Sequence, residues 1–227
     1  MIDNLLPAHQ KMHTFFPPKP LVAAEQQWVC TRSGRKFFPL NPQPEQIEIA
    51  DIAFGMAGKY RFGGQSPKRY TVAQHSIEVC RQLASNGHGR DVCLWGLLHD
   101  AAEAWLVDWQ RPVKWQQFWW DSENGLLVSF AEIEKRILYA VQKSFGLSPD
   151  YFHPDSELAK AVDAADCQQL LRERCDLFDD RQPPWDGFPA STDLYPLPPI
   201  LNCFNAYDCF MAMFIRVLKT RDLPQTV

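Results

Sequence analysis

The run Leu97-Leu98-His99-Asp100-Ala101-Ala102-Glu103-Ala104 closes an apolar stretch that begins near Val92. A histidine and a carboxylate side by side in such a stretch constrain the fold more than any other feature. Buried unpaired, each would cost several kcal/mol, so such groups are bonded to each other or to a metal. His75, in Val72-Ala73-Gln74-His75-Ser76, stands in the same kind of surroundings. So do the aspartates of Ala161-Val162-Asp163-Ala164-Ala165-Asp166. Three apolar segments carrying these residues must pack with their polar positions turned inward between helices.

The hydrophobic periodicity supplies those helices. One is expected over Ile47–Tyr60, with Ile49, Ile52, Ala53, Met56 and Ala57 on one face. Gly63-Gly64-Gln65-Ser66-Pro67 interrupts the pattern. A second helix runs from Thr71, a good N-cap, to Ala84. A third covers Asp91–Leu106 and carries the His-Asp pair; Asp108 to Pro112 reads as a turn. A fourth spans Leu126–Phe145 and is closed by Gly146. A fifth spans Ser156–Phe178, and a last one Phe204–Lys219. Before them, two short β-favouring runs flank Arg32-Ser33-Gly34 and predict a small hairpin near the N-terminus. The stretch 183–199 holds six prolines and cannot be regular helix. The expectation is an all-α bundle with a small β addition: an irregular arm over 1–26, then one domain over 27–227.

The chain has 227 residues, enough for a sizeable core, and 46% of them are hydrophobic. A formal net charge of -4 argues against a protein that coats a nucleic-acid polymer. No apolar run reaches about 18 residues and no leader pattern opens the chain, so a soluble cytoplasmic protein without membrane partners is expected. The seven cysteines include no Cys-x-x-Cys. Those in helical patterns, Cys80, Cys93, Cys167 and Cys209, read as buried free thiols.

Chemistry concentrates in His75, His99, Asp100 and Asp166. Two imidazoles and two carboxylates suit one divalent first-row metal (Mn, Co, Zn or Mg), with open positions for water and substrate. Glu103 follows His99 by four residues, on the same helical face one turn further on, where it can orient the water or serve as general acid or base. Asp108, Arg111 and Lys114 follow in the turn, where their charges can handle a phosphate. The blander alternative is that His75 is a hydrogen-bonded core residue and that Asp163 and Asp166 form a solvated face. His9, His13, His88 and His153 read as surface residues, as do Lys19, Arg35 and Lys36.

In this order, His75-Ser76, Leu98-His99-Asp100-Ala101-Ala102-Glu103, Asp108, Pro112-Val113-Lys114 and Asp166 resemble the HD-domain metal-dependent phosphohydrolases. The similarity runs from about Thr31 to Lys219, through Thr31-Arg32-Ser33-Gly34, Arg61-Phe62 and Tyr70-Thr71-Val72-Ala73-Gln74-His75-Ser76. It is nearest to the branch with bacterial 5′-deoxynucleotidases and phage dATP triphosphohydrolases. The resemblance implies an HD-domain helical bundle with His75, His99, Asp100 and Asp166 as metal ligands. It prefers Asp166 to Asp163 because Leu170 and Glu173 follow it. It also implies Glu103 as catalytic acid, Asp108 near sugar and phosphate, and Arg61 and Lys114 at the phosphates, with Arg111 and Pro112 beside them. Phe62 stands where the deoxynucleotidases usually carry tryptophan.

The expected activity is therefore phosphoester hydrolysis on a deoxynucleotide, with a dNMP 5′-nucleotidase releasing phosphate preferred. The alternative is a dNTP triphosphohydrolase releasing triphosphate. Less favoured are a cyclic-nucleotide or alarmone phosphodiesterase and a non-catalytic nucleotide-binding protein. The resemblance further implies a homo-oligomer, dimer or hexamer. Trp119 and Trp120 are candidates for its interface, with core packing as the alternative.

Overall fold

In the computed structural model, Thr31-Arg32-Ser33-Gly34 turns the expected hairpin. Strand β1 (Val29–Cys30) pairs antiparallel with β2 (Lys36–Phe37), Val29 opposite Phe37. The structure describes residues 27–121, 124–153, 155–179, 183, 185 and 193–219. The arm over 1–26, with His9, His13 and Lys19, lies outside the described residues, as does most of 180–192. Asp51 ties the hairpin to the first helix by accepting from Ser33 N at 2.8 Å and Ser33 Oγ at 2.7 Å.

Helix α1 (Ile49–Ala57) is shorter than the pattern implied, because Glu48 is extended and Gly58 ends the run. It buries Ile52, Ala53, Met56 and Ala57, the face expected. Tyr60 lies beyond it, in a β-bridge with Thr71. Between the two, Arg61–Gly64 form a tight turn in which Phe62, Gly63 and Gly64 have φ of 60°, 59° and 74°. A left-handed phenylalanine costs roughly 1–2 kcal/mol. Its backbone is clamped in compensation: Phe62 N donates to Asp108 Oδ2 at 2.8 Å, and Gln110 Nε2 donates to Phe62 O at 3.0 Å.

Helix α2 (Val72–Ser85) begins where predicted, its Thr71 Oγ1 accepting from Gln74 N. Helix α3 (Arg90–Leu98) departs from the sequence reading. It stops at His99, and the chain continues as a 3-10 turn over Ala101–Ala104 instead of helix to Leu106. A one-turn helix α4 (Arg111–Lys114) follows. The start expected for the fourth helix is also corrected: Leu126–Ser129 is strand β4, paired with β3 (Phe118–Asp121) in a second hairpin. Consecutive bulky aromatics Phe118, Trp119 and Trp120 favour the pleat, and Ser129 then caps helix α5 (Phe130–Ser144) through Glu132 N. Helices α6 (Glu157–Leu177) and α7 (Cys203–Lys219) complete the chain, with Ser156 capping α6.

Helices α2 and α3 pack on each other, and α6 and α7 each lie against both. Helix α1 packs on α7 and on the 101–104 turn. The core that results includes Ile77, Leu83, Leu94, Leu97, Leu98, Ile133, Ile137 and Phe210. Trp119 packs against it from the side. Cys80 and Cys93 are buried, as expected, but Cys167 is exposed on α6 and Cys209 is half-buried. His153 is exposed, whereas His88 is half-buried. No helix of the described residues is long and apolar enough to cross a membrane.

Candidate metal centre

The early end of α3 brings His99 and Asp100 to one point. On a continuous helix, neighbours diverge by about 100°. Here Asp100 leaves the helical conformation, with φ −99° and ψ 14°, and its Oδ2 lies 3.5 Å from Nε2 of both His99 and His75. Asp166, from α6, places Oδ1 3.1 Å from His75 Nε2 and 3.9 Å from His99 Nε2. The two Nε2 atoms are 3.4 Å apart. The four residues thus converge from three elements, while Asp163, one turn before Asp166, is exposed.

The outer nitrogens fix the tautomers. His99 Nδ1 lies 2.8 Å from Gly96 O, and His75 Nδ1 lies 2.6 Å from Glu173 Oε1. A carbonyl and a carboxylate only accept, so both Nδ1 atoms carry hydrogen and both Nε2 lone pairs face inward. Two inward-facing Nε2 atoms and two carboxylates around one point suit a cation between them. His75, His99 and Asp166 together can hold one metal ion. In the metal-free chain a proton takes that part. Burial and the Arg61 charge push the His75 pKa down, but Glu173 and Asp166 outweigh them and raise it to about 10. Asp166 is pulled far below the usual carboxylate range: burial opposes the shift, and the bond and charge of His75 prevail.

Glu173 has no predicted role beyond marking Asp166, yet it is fully buried and central. It accepts from His75 Nδ1, from Arg61 Nε at 3.1 Å and from Gln169 Nε2 at 3.2 Å. A carboxylate behind a ligating histidine fixes its ring and raises its basicity. The sequence signal was its position two turns after Asp166, on the same face of the helix. Despite burial, Arg61 and His75 hold Glu173 below its ordinary pKa.

Arg61 is buried beside the cluster, Nη1 3.5 Å from Asp100 Oδ2 and 3.9 Å from Asp108 Oδ1. Asp108 serves first as the clamp on Phe62 N. Burial raises its pKa, against the pull of Arg61. Glu103 reaches this region by the 3-10 turn rather than along a helical face. It is buried, and its Oε2 has no hydrogen-bond partner among the described residues. Burial, then the charges of Asp100 and Asp108, push its pKa well above the ordinary carboxylate range. Lys59 donates to Ala104 O at 2.7 Å and so pins the turn that carries Glu103.

Other predicted residues are placed differently. Lys114 is paired with Glu134 at 2.6 Å, a partner the sequence reading did not find. Pro112 is exposed on α4, and the Arg111 side chain lies outside the described residues. The Phe62 ring is not open to solvent. It packs edge-on against Phe178 and Trp185, with centroids 5.0 and 5.7 Å away.

No family model matches the chain. Among curated proteins it is 30% identical over 190 residues to the "Uncharacterized protein YfdR" of Escherichia coli strain K12, spanning 82% of this chain and 93% of that one. The chain belongs to the YfdR family. It is also 35% identical over 143 residues to the "Uncharacterized protein RCAP_rcc00048" of Rhodobacter capsulatus, spanning 61% of this chain and 68% of that one. The names of YfdR and of the Rhodobacter protein state no activity.

Proposed function

We propose that this YfdR-family chain is an HD-type, metal-dependent phosphohydrolase acting on deoxynucleotides, with a 5′-monophosphate as substrate and phosphate as product. The observation that carries the reading is the pair of inward Nε2 lone pairs joined by Asp100 and Asp166. His75, His99, Asp100 and Asp166 would hold one divalent ion. When bound, such an ion polarises a phosphoryl oxygen and lowers the pKa of water from ~15.7 towards ~7.

The rest of the chemistry falls to the chain's own residues. Glu103, kept protonated by burial and by Asp100 and Asp108, can donate its proton to the departing ribose oxygen. Arg61 stays cationic: burial disfavours its charge, but Glu173, Asp108 and Asp100 more than offset that. Its guanidinium can stabilise charge that builds on a phosphoryl group. Asp108 and Gln110 hold the Arg61-Phe62 turn that aims it.

What favours a monophosphate over a triphosphate is the supply of cations. Lys114 is neutralised by Glu134, and the carboxylates of Asp100 and Asp108 stand beside Arg61 at the cluster. The β- and γ-phosphates would need positive partners that Lys114 does not offer unpaired. The test is a product-resolved panel of dNMPs, NMPs and dNTPs with Mn²⁺, Co²⁺, Zn²⁺ or Mg²⁺. Phosphate from dNMPs is expected. Triphosphate as the sole product would replace the substrate assignment, and no turnover with any metal would overturn the enzyme assignment.

A further inference from the structure

Residues 195–201 carry no regular structure, yet their backbone is bound by side chains from the two helices that supply His75 and Asp166. From α2, Gln74 Nε2 donates to Pro199 O at 2.9 Å, and Gln74 Oε1 accepts from Leu201 N at 3.0 Å. From α6, Asp176 Oδ2 accepts from Leu197 N at 2.5 Å. Arg172 Nε donates to Tyr195 O at 2.8 Å and Nη2 to Pro196 O at 3.1 Å. The segment is a strap held by α2 and α6.

Arg172 does more than hold the strap. Its remaining arm, Nη1, donates to Gln169 Oε1 at 2.9 Å. At its other end Gln169 Nε2 donates to Glu173 Oε1 at 3.2 Å and to Tyr70 OH at 3.1 Å. Glu173 in turn holds His75 Nδ1. The direction of this chain is forced. Arg172 only donates and the Glu173 carboxylate only accepts, so the Gln169 amide fits in one orientation. Turned over, it would set its oxygen against the carboxylate and its NH₂ against the guanidinium. The Arg172 fork is planar and rigid, so strap and amide are gripped by one group.

We propose that Arg172 is a positioning residue that couples the seating of the 195–201 strap to metal affinity, acting through Gln169 and Glu173 on His75. This rests on the metal reading above. A seated strap orients Arg172, which orients Gln169, which frees Glu173 to hold the His75 ring with its lone pair inward. Coupling is reciprocal, so a bound ion also steadies the strap.

The test is calorimetric titration of Zn²⁺ into the full chain at one fixed pH, with Arg172→Met, Gln169→Leu and the double variant. Each single change is expected to weaken Zn²⁺ binding by roughly tenfold, the lower end for partners behind a ligating histidine. The double variant should be no weaker than Gln169→Leu by more than about twofold, because the two residues act in series. Hydrogen exchange supplies a second readout that does not need the Arg172 variant. Zn²⁺ should slow exchange of the Leu197 amide in the wild type and leave it unchanged in Gln169→Leu. Wild type that binds no Zn²⁺ overturns the metal reading and this inference together. Wild type that binds Zn²⁺ while Arg172→Met binds equally well, or losses that simply add, overturns this inference alone.

Discussion

Asp100 and Glu103 are separated by one tight turn and sit in opposite electrostatic situations. Asp100 Oδ2 lies within 3.5 Å of both imidazoles, whereas the Glu103 carboxyl is buried with Oε2 unbonded among the described residues. Asp100→Ala should therefore abolish metal uptake and turnover together. Glu103→Gln should keep the metal and lose turnover by roughly 10²–10⁴-fold, the range for a general acid. Metal content by atomic emission and rate on the preferred nucleotide check both; wild-type turnover in Glu103→Gln would remove its role. The four converging residues were legible in the sequence because each is a polar group in an apolar stretch, and inward packing is its least costly placement. Glu173 was not, because its partners His75 and Arg61 lie 98 and 112 residues away and no local pattern connects them. Lys114 was read as a free cation for the same reason: the spacing to Glu134 says nothing until the second hairpin folds α5 back.

At the scale of elements, the contact between α1 and the 101–104 turn is set by a missing side chain. A Cβ on Gly55 would lie 2.4 Å from Ala104 O and 2.7 Å from Ala104 Cα, both backbone atoms that cannot swing aside. Glycine to alanine inside a helix ordinarily gains about 1 kcal/mol. Gly55→Ala should instead destabilise the chain by roughly 1–3 kcal/mol, as overpacking does. Because the turn carries Glu103, turnover should fall as well; a raised midpoint in urea would show that α1 and the turn part without strain. The helices themselves were legible from apolar periodicity and, for α2, from the Thr71 cap. Several boundaries were not, two of them beside the site. The pattern through Leu106 is apolar enough for helix, but the His99-Asp100 kink is imposed by what those side chains meet. The strand at Leu126–Ser129 has apolar residues that also continue the α5 spacing, and its pairing with Phe118–Asp121 decides the matter.

For the molecule as a whole, the cluster ties stability to pH. His75 is raised from 6.5 to about 10, so in the metal-free chain its contribution is complete below about pH 6.5 and is lost as pH rises through about 10. Glu173 is lowered, so its contribution is complete above about pH 4.3, the value of an unperturbed glutamate, and is lost as pH falls through its lower folded pKa. Glu103, raised, runs like His75: the folded state favours its protonated form and loses that advantage as pH rises. Urea denaturation of the metal-free chain should therefore show stability declining between about pH 6.5 and 10. Excess Zn²⁺, which takes the place of the His75 proton, should remove that decline. A flat metal-free profile over this range would mean that His75 is not held as described.

The span of the Glu173 contacts also bears on how the chain reaches this state. The ion pair with Arg61 closes a separation of 112 residues, and contacts that distant form late because their loop-closure entropy must be met first. A coordinating cluster completed only near the native end of the pathway is absent from the folding transition state. Bound metal should then slow unfolding and leave the folding rate untouched. In stopped-flow experiments the unfolding limb of the chevron should drop with Zn²⁺ while the folding limb stays in place, and a faster folding limb would overturn this expectation. In this chain a captured ion would act as a latch on a finished structure, one that extends the lifetime of the fold without guiding its formation.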